Sequence, residues 1–426
     1  MAINTYYHLL RANVIVLMLI CGMSDLMSQN KNQYITLYVK QGSVIEINFY
    51  AEPNSIVQIE SGKKYTIVAN TAPAGHIYFN CEELKAYADT MTIYGHIYEF
   101  DCGNNDNNIT YIDASHCPSL YTLVCNYNQL DSLNVQRLPL LRTLYCDYNN
   151  LTTLDLKGCH SLRHLECNNN RISSIDVSKC RYLEWMDCHY NRISVLNISQ
   201  NVCLGMLDCR FNRLTDLNVK NNVLLGNLYC DGNHLESLDL SNSFYLVDLN
   251  CGNNFLTALD VSKNVNLQYL YCYHNLFAAE SFDELMCILP DRSMNDKGHF
   301  CPLYGDNDTN FVIFEKNNSK NAEAKNWCIC SYMSSLIVQT NGTFDCGTVN
   351  IKESDTGAVF SLYPNPASTT IHITGGSAEN IFVYDVAGRL VQNIKNEGEV
   401  GLDVSSRACG MYFVRCGKHM VKFIKE

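Results

Sequence analysis

Leu183-Glu184-Trp185-Met186-Asp187-Cys188-His189-Tyr190-Asn191 is followed, 21 residues on, by Leu204-Gly205-Met206-Leu207-Asp208-Cys209-Arg210-Phe211-Asn212. The cysteine recurs at the same interval as Cys125, Cys146, Cys167, Cys188, Cys209, Cys230, Cys251 and Cys272. A leucine lies five residues before each, from Leu120 to Leu267, and an asparagine three after: Asn128, Asn149, Asn170, Asn191, Asn212, Asn233, Asn254 and Asn275. A degenerate copy with Ile97, Cys102 and Asn105 precedes them, lengthened by two residues before Ile109. The unit reads L-x-x-L-x-C-x-x-N-x-L-x-x-L-D-V-S-x-N-x-x, and self-similarity at a fixed period of this size predicts a solenoid.

In L-x-C the alternate residues fall on one side of a short strand, so stacked copies build a parallel sheet with an inner face of leucine and cysteine. The asparagine stands where the chain leaves the strand, and its amide can satisfy backbone groups of its own and the neighbouring coil. This reading makes the asparagine column structural. Ladder cysteines would be about 4.8 Å apart with parallel side chains, whereas a disulfide needs Cβ atoms about 3.8 Å apart and converging. They are therefore expected to be reduced core residues rather than redox or metal ligands. Cys117, Cys159, Cys180 and Cys203 are expected on a more exposed back of the coil, with a Cys159–Cys180 pairing left open.

On these residues the chain resembles the leucine-rich-repeat family, in its short bacterial variety, over roughly Ile97 to Asn275. The resemblance implies a leucine-rich-repeat solenoid over 97–277, with a parallel β-sheet on the concave face and a mostly irregular convex side. It also implies a binding rather than a catalytic role.

Flanking regions differ. Residues 1–28 carry Arg11 ahead of the apolar run Val14 to Ile20 and then small and polar residues, the pattern of a cleaved secretory signal. That run is too short for a bilayer span, and bulky Ile20 before Cys21 argues against lipoprotein processing. The later sequence has no stretch apolar enough to span a membrane. Alternation in Ile35-Thr36-Leu37-Tyr38-Val39 and Val44 to Phe49 predicts a β-rich cap over 29–96. Over 278–350 a second cap is expected, with a helix capped by Ser281 and stopped at Pro290, and strands at Phe311–Phe314 and Leu336–Val338. Cys287, Cys301, Cys328, Cys330 and Cys346 lie off the ladder there, where disulfides are expected.

From 351 a linker leads to a small Ig-like β-sandwich. Leu362-Tyr363-Pro364-Asn365-Pro366-Ala367 opens it, Val383-Tyr384-Asp385 runs to Gly388-Arg389, and Gly410-Met411-Tyr412-Phe413-Val414-Arg415 follows. In that order these resemble the C-terminal sorting domain of type IX secretion substrates in the Bacteroidetes. The resemblance implies passage through the periplasm, recognition by the secretion machinery, and release from or attachment to a Gram-negative outer surface. Tyr363, Pro364, Asn365, Pro366, Asp385, Gly388, Arg389, Gly410 and Tyr412 are the residues expected to carry that signal.

The composition agrees with a folded chain: 426 residues, 47% hydrophobic and only 17% charged. A net charge of -12 without a dense basic cluster excludes nucleic acid as a natural partner. If leucine and cysteine point inward, one column on the other side runs Val124, Tyr145, Glu166, Asp187, Asp208, Tyr229, Asn250, Tyr271. Neighbouring columns add Trp185, Tyr269, Asp147, His189, Arg210, Asp231 and Tyr273. Exposed tryptophan, tyrosine and arginine are enriched at binding hot spots, so this concave face is expected to take a protein or glycan, centred on Trp185, Tyr229, Tyr269 and Tyr271. The opposing reading is that the rings merely cover the sheet and the array is a spacer or assembly component.

Glu166, Asp187 and Asp208 stack on successive strands, with the outer pair roughly 9.6 Å apart, near the upper end of inverting-glycosidase spacing. Calcium is a conceivable guest of such carboxylates. Nothing in the sequence supplies a nucleophile with its base or a phosphate loop, so the expectation is no enzyme, no cofactor and no metal.

Overall fold

The computed structural model describes residues 30–69, 80–305, 308, 311–333, 338, 340–344, 346, 361–363, 367–374, 381–385, 390–395, 400–416 and 419–425. The expected signal peptide over residues 1–28, Leu336 and Ile337, and Pro364, Asn365, Pro366, Gly388 and Arg389 lie outside them. The chain forms two compact units, Met1–Phe344 and Asp345–Glu426.

The first unit is built on the 21-residue period. Each repeat contributes a three-residue strand: Thr122–Val124, Thr143–Tyr145, His164–Glu166, Trp185–Asp187, Met206–Asp208, Asn227–Tyr229, Asp248–Asn250 and Tyr269–Tyr271. Successive strands pair in parallel and in strict register, with Trp185 opposite Met206 and Asp187 opposite Asp208. Three residues suffice because only the middle one points inward; Leu123, Leu144, Leu165, Met186, Leu207, Leu228, Leu249 and Leu270 are all fully buried, as are the eight ladder cysteines. In one coil Leu183, Met186, Cys188, Ile193, Leu196 and Ile198 close the core. One coil cannot hide this apolar set by itself, so stability comes from stacking.

Polar ladders hold the coils together. The Asn212 amide donates to the carbonyls of Cys188 (3.0 Å) and Cys209 (3.1 Å), while its oxygen accepts from the Ile193 amide (2.9 Å). The same bonds recur at Asn149, Asn170, Asn191, Asn233, Asn254 and Asn275. Asn128 donates likewise to Cys102 and Cys125. A second buried column crosses the back of the coil: Cys117, Cys159, Cys180, Asn201, Asn222, Ser243 and Asn264. Contrary to expectation, Cys117, Cys159 and Cys180 are fully enclosed thiols, because this position faces the backbone of the preceding coil; only Cys203, two residues off the column, is partly exposed. The Cys159 thiol donates to the Val135 carbonyl (3.1 Å), where Asn201 donates to Val177 (3.0 Å) two turns further along. On the surface of the back, Asp155, Asp176, Asp239 and Asp260 each accept from the amide two residues ahead, an Asx turn.

Both ends continue the ladder. Ile97–Asp101 pairs in parallel with Thr122–Val124 and, on its other edge, antiparallel with Val44–Ala51, which pairs with Asn80–Lys85. A second sheet in the order Ser132–Asn134, Ile109–His116, Tyr34–Val39, Thr90–Tyr94, Ile56–Glu60, Lys64–Val68 completes this end. Ile35, Leu37, Ile45, Ile47 and Phe49 are completely buried. At the far end Gly298–Leu303 and Trp327–Ser331 extend the parallel ladder, so the main sheet has thirteen strands.

The helix there spans Ala279–Ile288 with Ala278, not Ser281, at its N-cap. Phe311–Phe314 is a short helix rather than the expected strand. Periodicity cannot distinguish the two for a four-residue apolar run, and here the Phe311 amide bonds Asp308 while Glu315 bonds back to Phe311. Phe282, Phe300, Phe314 and Trp327 plug the core. Of the off-ladder cysteines, Cys287 and Cys346 are disulfide-bonded, whereas Cys301, Cys328 and Cys330 are thiols.

The second unit consists of a three-stranded sheet, Ser361–Tyr363, Thr370–Thr374 and Val400–Asp403, and a four-stranded one, Leu390–Ile394, Ile381–Asp385, Gly410–Cys416 and His419–Lys425. Ile371, Ile373, Ile381, Val383, Leu402, Val414 and Phe423 form its core. Tyr363 is half exposed and stacks on His372 (5.4 Å), and the Tyr412 hydroxyl donates to the Ala408 carbonyl (2.9 Å).

Candidate functional site

Strand alternation puts Trp185, Tyr145, Tyr229, Tyr269, Tyr271, Glu166, Asp187 and Asp208 on the outward side of the ladder sheet, with His189, Arg210 and Tyr273 just beyond the strands. Trp185 is 41% exposed, while Met206 and His164 beside it are partly covered.

Below Trp185 lies a polar network. His189 Nδ1 meets Asp187 Oδ1 at 2.5 Å and Asp208 Oδ2 at 3.7 Å. Arg210 holds Asp208 with two groups, Nε at 2.9 Å from Oδ1 and Nη2 at 2.6 Å from Oδ2. The Asn168 amide donates to Asp187 Oδ2 (3.1 Å). Burial works against a charged His189, but the Asp187 bond and the Asp208 charge outweigh it and raise its pKa. Asp231 is 2% exposed, and burial pushes its carboxyl up to about 6, opposed by Arg210 at 3.9 Å and aided by Asp208. Burial also raises Glu166, helped by Asp147 and Asp187.

Asp187, His189 and Asp208 present ligand atoms within 4.8 Å of one another and are the residues of this face that could hold a cation. Arg210 already neutralises Asp208 there. Glu166, Asp187 and Asp208 do stand on successive strands, but the last two are engaged by His189, Asn168 and Arg210 instead of facing each other across a cleft.

Toward the C-terminal end the face is aromatic. Tyr229 donates to Asp248 Oδ2 (2.8 Å) and lies under the Arg210 guanidinium (5.4 Å); burial and that carboxylate push its hydroxyl up to about 12. Tyr269 stacks on His299 (5.4 Å) and Tyr271 meets Tyr332 edge-on (5.4 Å). Tyr273 departs from expectation: it is 2% exposed, packed on Tyr332 (4.8 Å) and Tyr304 (5.2 Å). It supports the face and does not present itself to a partner. His299, Tyr304 and Tyr332 escaped the sequence reading because they lie in the cap, outside the period.

A second row was also missed. The residue before each ladder asparagine turns into the left-handed region: Tyr127 (φ 51°), Tyr148 (50°), Asn169 (52°), Tyr190 (48°), Phe211 (50°), Asn253 (48°) and His274 (49°), with Gly232 (68°) in register. The four bulky rings are 38–51% exposed. The column is visible in the sequence one place ahead of the asparagines, but a strand's two-sided logic says nothing about a residue in the turn.

Residues 361–426 match the family described as secretion system C-terminal sorting domain, and residues 139–180 match leucine-rich repeats in two copies. No curated protein matches the sequence. Among solved structures, the functional domain of InlJ from Listeria monocytogenes, described as including a cysteine ladder, is 20% identical over 80% of this chain and 94% of that one, at a TM-score of 0.42. The Leptospira interrogans protein LIC12759 is 24% identical over 38% of this chain, at a TM-score of 0.37, and the match spans only 45% of that protein. YopM from Yersinia pestis is 22% identical over 49% and 55% of the two chains, at a TM-score of 0.39. Among the described residues no helix is long and apolar enough to cross a membrane. The repeats and the matched tail together identify the chain as a leucine-rich-repeat protein that ends in a type IX secretion sorting domain and is exported to the cell surface or beyond it.

Proposed function

We propose that this exported protein is a non-catalytic recognition module whose ladder face binds a partner protein bearing a basic patch. The observation that carries the reading is Trp185: a large indole left 41% exposed in the middle of a sheet whose neighbouring side chains are tied to one another. Around it the partly exposed carboxylates of Glu99, Asp101, Glu166, Asp187 and Asp248 share the face with Arg210, while those of Asp147, Asp208 and Asp231 lie buried beneath it and do not present themselves to a partner. Such a surface favours lysine and arginine on the incoming partner and steers their approach. The hydroxyls and rings of Tyr145, Tyr229, Tyr269 and Tyr271 add amphipathic contact area of the kind that dominates hot spots. Engagement of Asp187 and Asp208 within the network supports binding over acid–base chemistry.

A photo-crosslinking phenylalanine analogue at position 185 tests this, with the analogue at Val195, 72% exposed on the back of the coil, as control. The expected result, with intact cells and their surroundings as the source of partner, is one protein adduct from position 185 that disappears near 1 M salt. Equal labelling from position 195, or an adduct indifferent to salt, rejects the reading.

A further inference from the structure

The row of turn residues is a stack of rings with one member missing. Tyr127 and Tyr148 lie face to face at 4.4 Å with planes 10° apart, and Tyr190 and Phe211 at 4.5 Å with planes 2° apart. Between the pairs stands Asn169. Its side chain does not fill the row: Nδ2 donates to Asn168 Oδ1 (2.8 Å) and approaches His189 Nε2 (3.3 Å), toward the ladder face. Two strand spacings therefore separate Tyr148 from Tyr190, about 9.6 Å. A ring placed midway would sit about 4.8 Å from each tyrosine, within the ordinary range of about 4.5–7 Å for stacked rings.

The slot opens into a groove of 760 Å³ whose walls include Tyr127, Gln129, Asn150 and Arg171. That volume falls in the range of about 300–1,000 Å³ typical of small-ligand sites. The chemistry is divided: tyrosine faces above and below, amides, the Arg171 guanidinium and the Asp106 carboxylate around the rim. A pyranose matches this division, with C–H faces to lay on the rings and equatorial hydroxyls that both donate and accept. An aromatic side chain would cover the ring faces but offer the rim amides and guanidinium no hydroxyls to bond. The backbone gives a second reason to regard the rings as retained for use. Tyr127, Tyr148, Tyr190 and Phe211 hold a positive φ that bulky residues rarely adopt, where Gly232 and Asn253 serve in later coils.

We infer that the gap at Asn169 between Tyr148 and Tyr190 is a carbohydrate-binding subsite that clamps one neutral sugar ring, separate from the face around Trp185. The probes are cellohexaose, maltohexaose, mannohexaose and chitohexaose, each titrated calorimetrically into the full chain. At least one is expected to bind, with Tyr148→Ala and Tyr190→Ala each weakening it about tenfold, as loss of one stacked face predicts. Asn169→Tyr completes the row using a residue that neighbouring coils already accept at that φ, and is expected to abolish binding without lowering the melting temperature. Asn169→Ala leaves the slot open and is expected to keep binding within about threefold, and Trp185→Ala is expected to leave it unchanged. Failure of all four sugars to bind, binding that survives Asn169→Tyr, or preferential binding of a tryptophan-bearing peptide overturns the inference.

Discussion

Replacing Asp231 with asparagine removes a charge that the fold holds at a cost. The carboxyl is 2% exposed, its Oδ1 accepts no hydrogen bond among the described residues, and Arg210 reaches it only at 3.9 Å while binding Asp208 closely. Its pKa is raised from 3.8 to about 6. A carboxyl whose folded pKa lies above the unfolded value binds more protons when folded, so its stabilising contribution is complete below about pH 4 and is lost as the pH rises through about 6. Two pKa units at about 1.4 kcal/mol each correspond to a penalty of about 3 kcal/mol at pH 7.5. Asp231→Asn keeps the shape without the charge. It is expected to stabilise the protein by up to about that amount at pH 7.5 and to leave it nearly unchanged at pH 4. Urea unfolding of both proteins at the two pH values measures the difference. A variant less stable than the parent at pH 7.5, or a stability difference that does not change with pH, refutes the assignment of burial as the dominant cause.

Asn212→Ala removes the acceptor of the Ile193 amide and one of the two asparagine donors to each of the Cys188 and Cys209 carbonyls, which Asn191 and Asn233 still reach, and is expected to cost about 2 kcal/mol in urea unfolding. Asp176→Ala, which removes one exposed Asx turn on the back of the coil, is expected to cost under about 1 kcal/mol by the same measurement. The eight ladder thiols are fully enclosed and burial raises their pKa. Native alkylation read by mass spectrometry should therefore modify exposed Cys409 and leave Cys125 to Cys272 untouched until denaturant is added. Prompt labelling of Cys188 without denaturant would contradict the enclosed core.

The solenoid was legible because every coil must place the same side chains in the same environment, which prints the period directly into Leu, Cys and Asn. The alternating cap strands near Ile35 and Ile45 were legible for the ordinary two-sided reason. Legibility failed where a residue's surroundings come from other segments. Cys117, Cys159 and Cys180 are buried by the backbone of an adjacent coil, and Tyr273 is covered by Tyr304 and Tyr332, which arrive only when the cap closes. Phe311–Phe314 was too short for its period to decide between strand and helix. The outward-facing columns of the ladder sheet followed from strand alternation, whereas the ring row around Asn169 did not, since a left-handed tyrosine follows no simple propensity.

The strict parallel register of the ladder also bears on how the molecule would answer to pulling. Each coil touches only the next, so tension between the ends should peel turns away singly from a terminus instead of rupturing the whole array at once. Every 21-residue turn that lets go would lengthen the tether by roughly 70 Å, since a coil advances only about 4.8 Å when stacked. On an exterior swept by flow, such an array can act as a reserve of slack whose steps force spectroscopy would count.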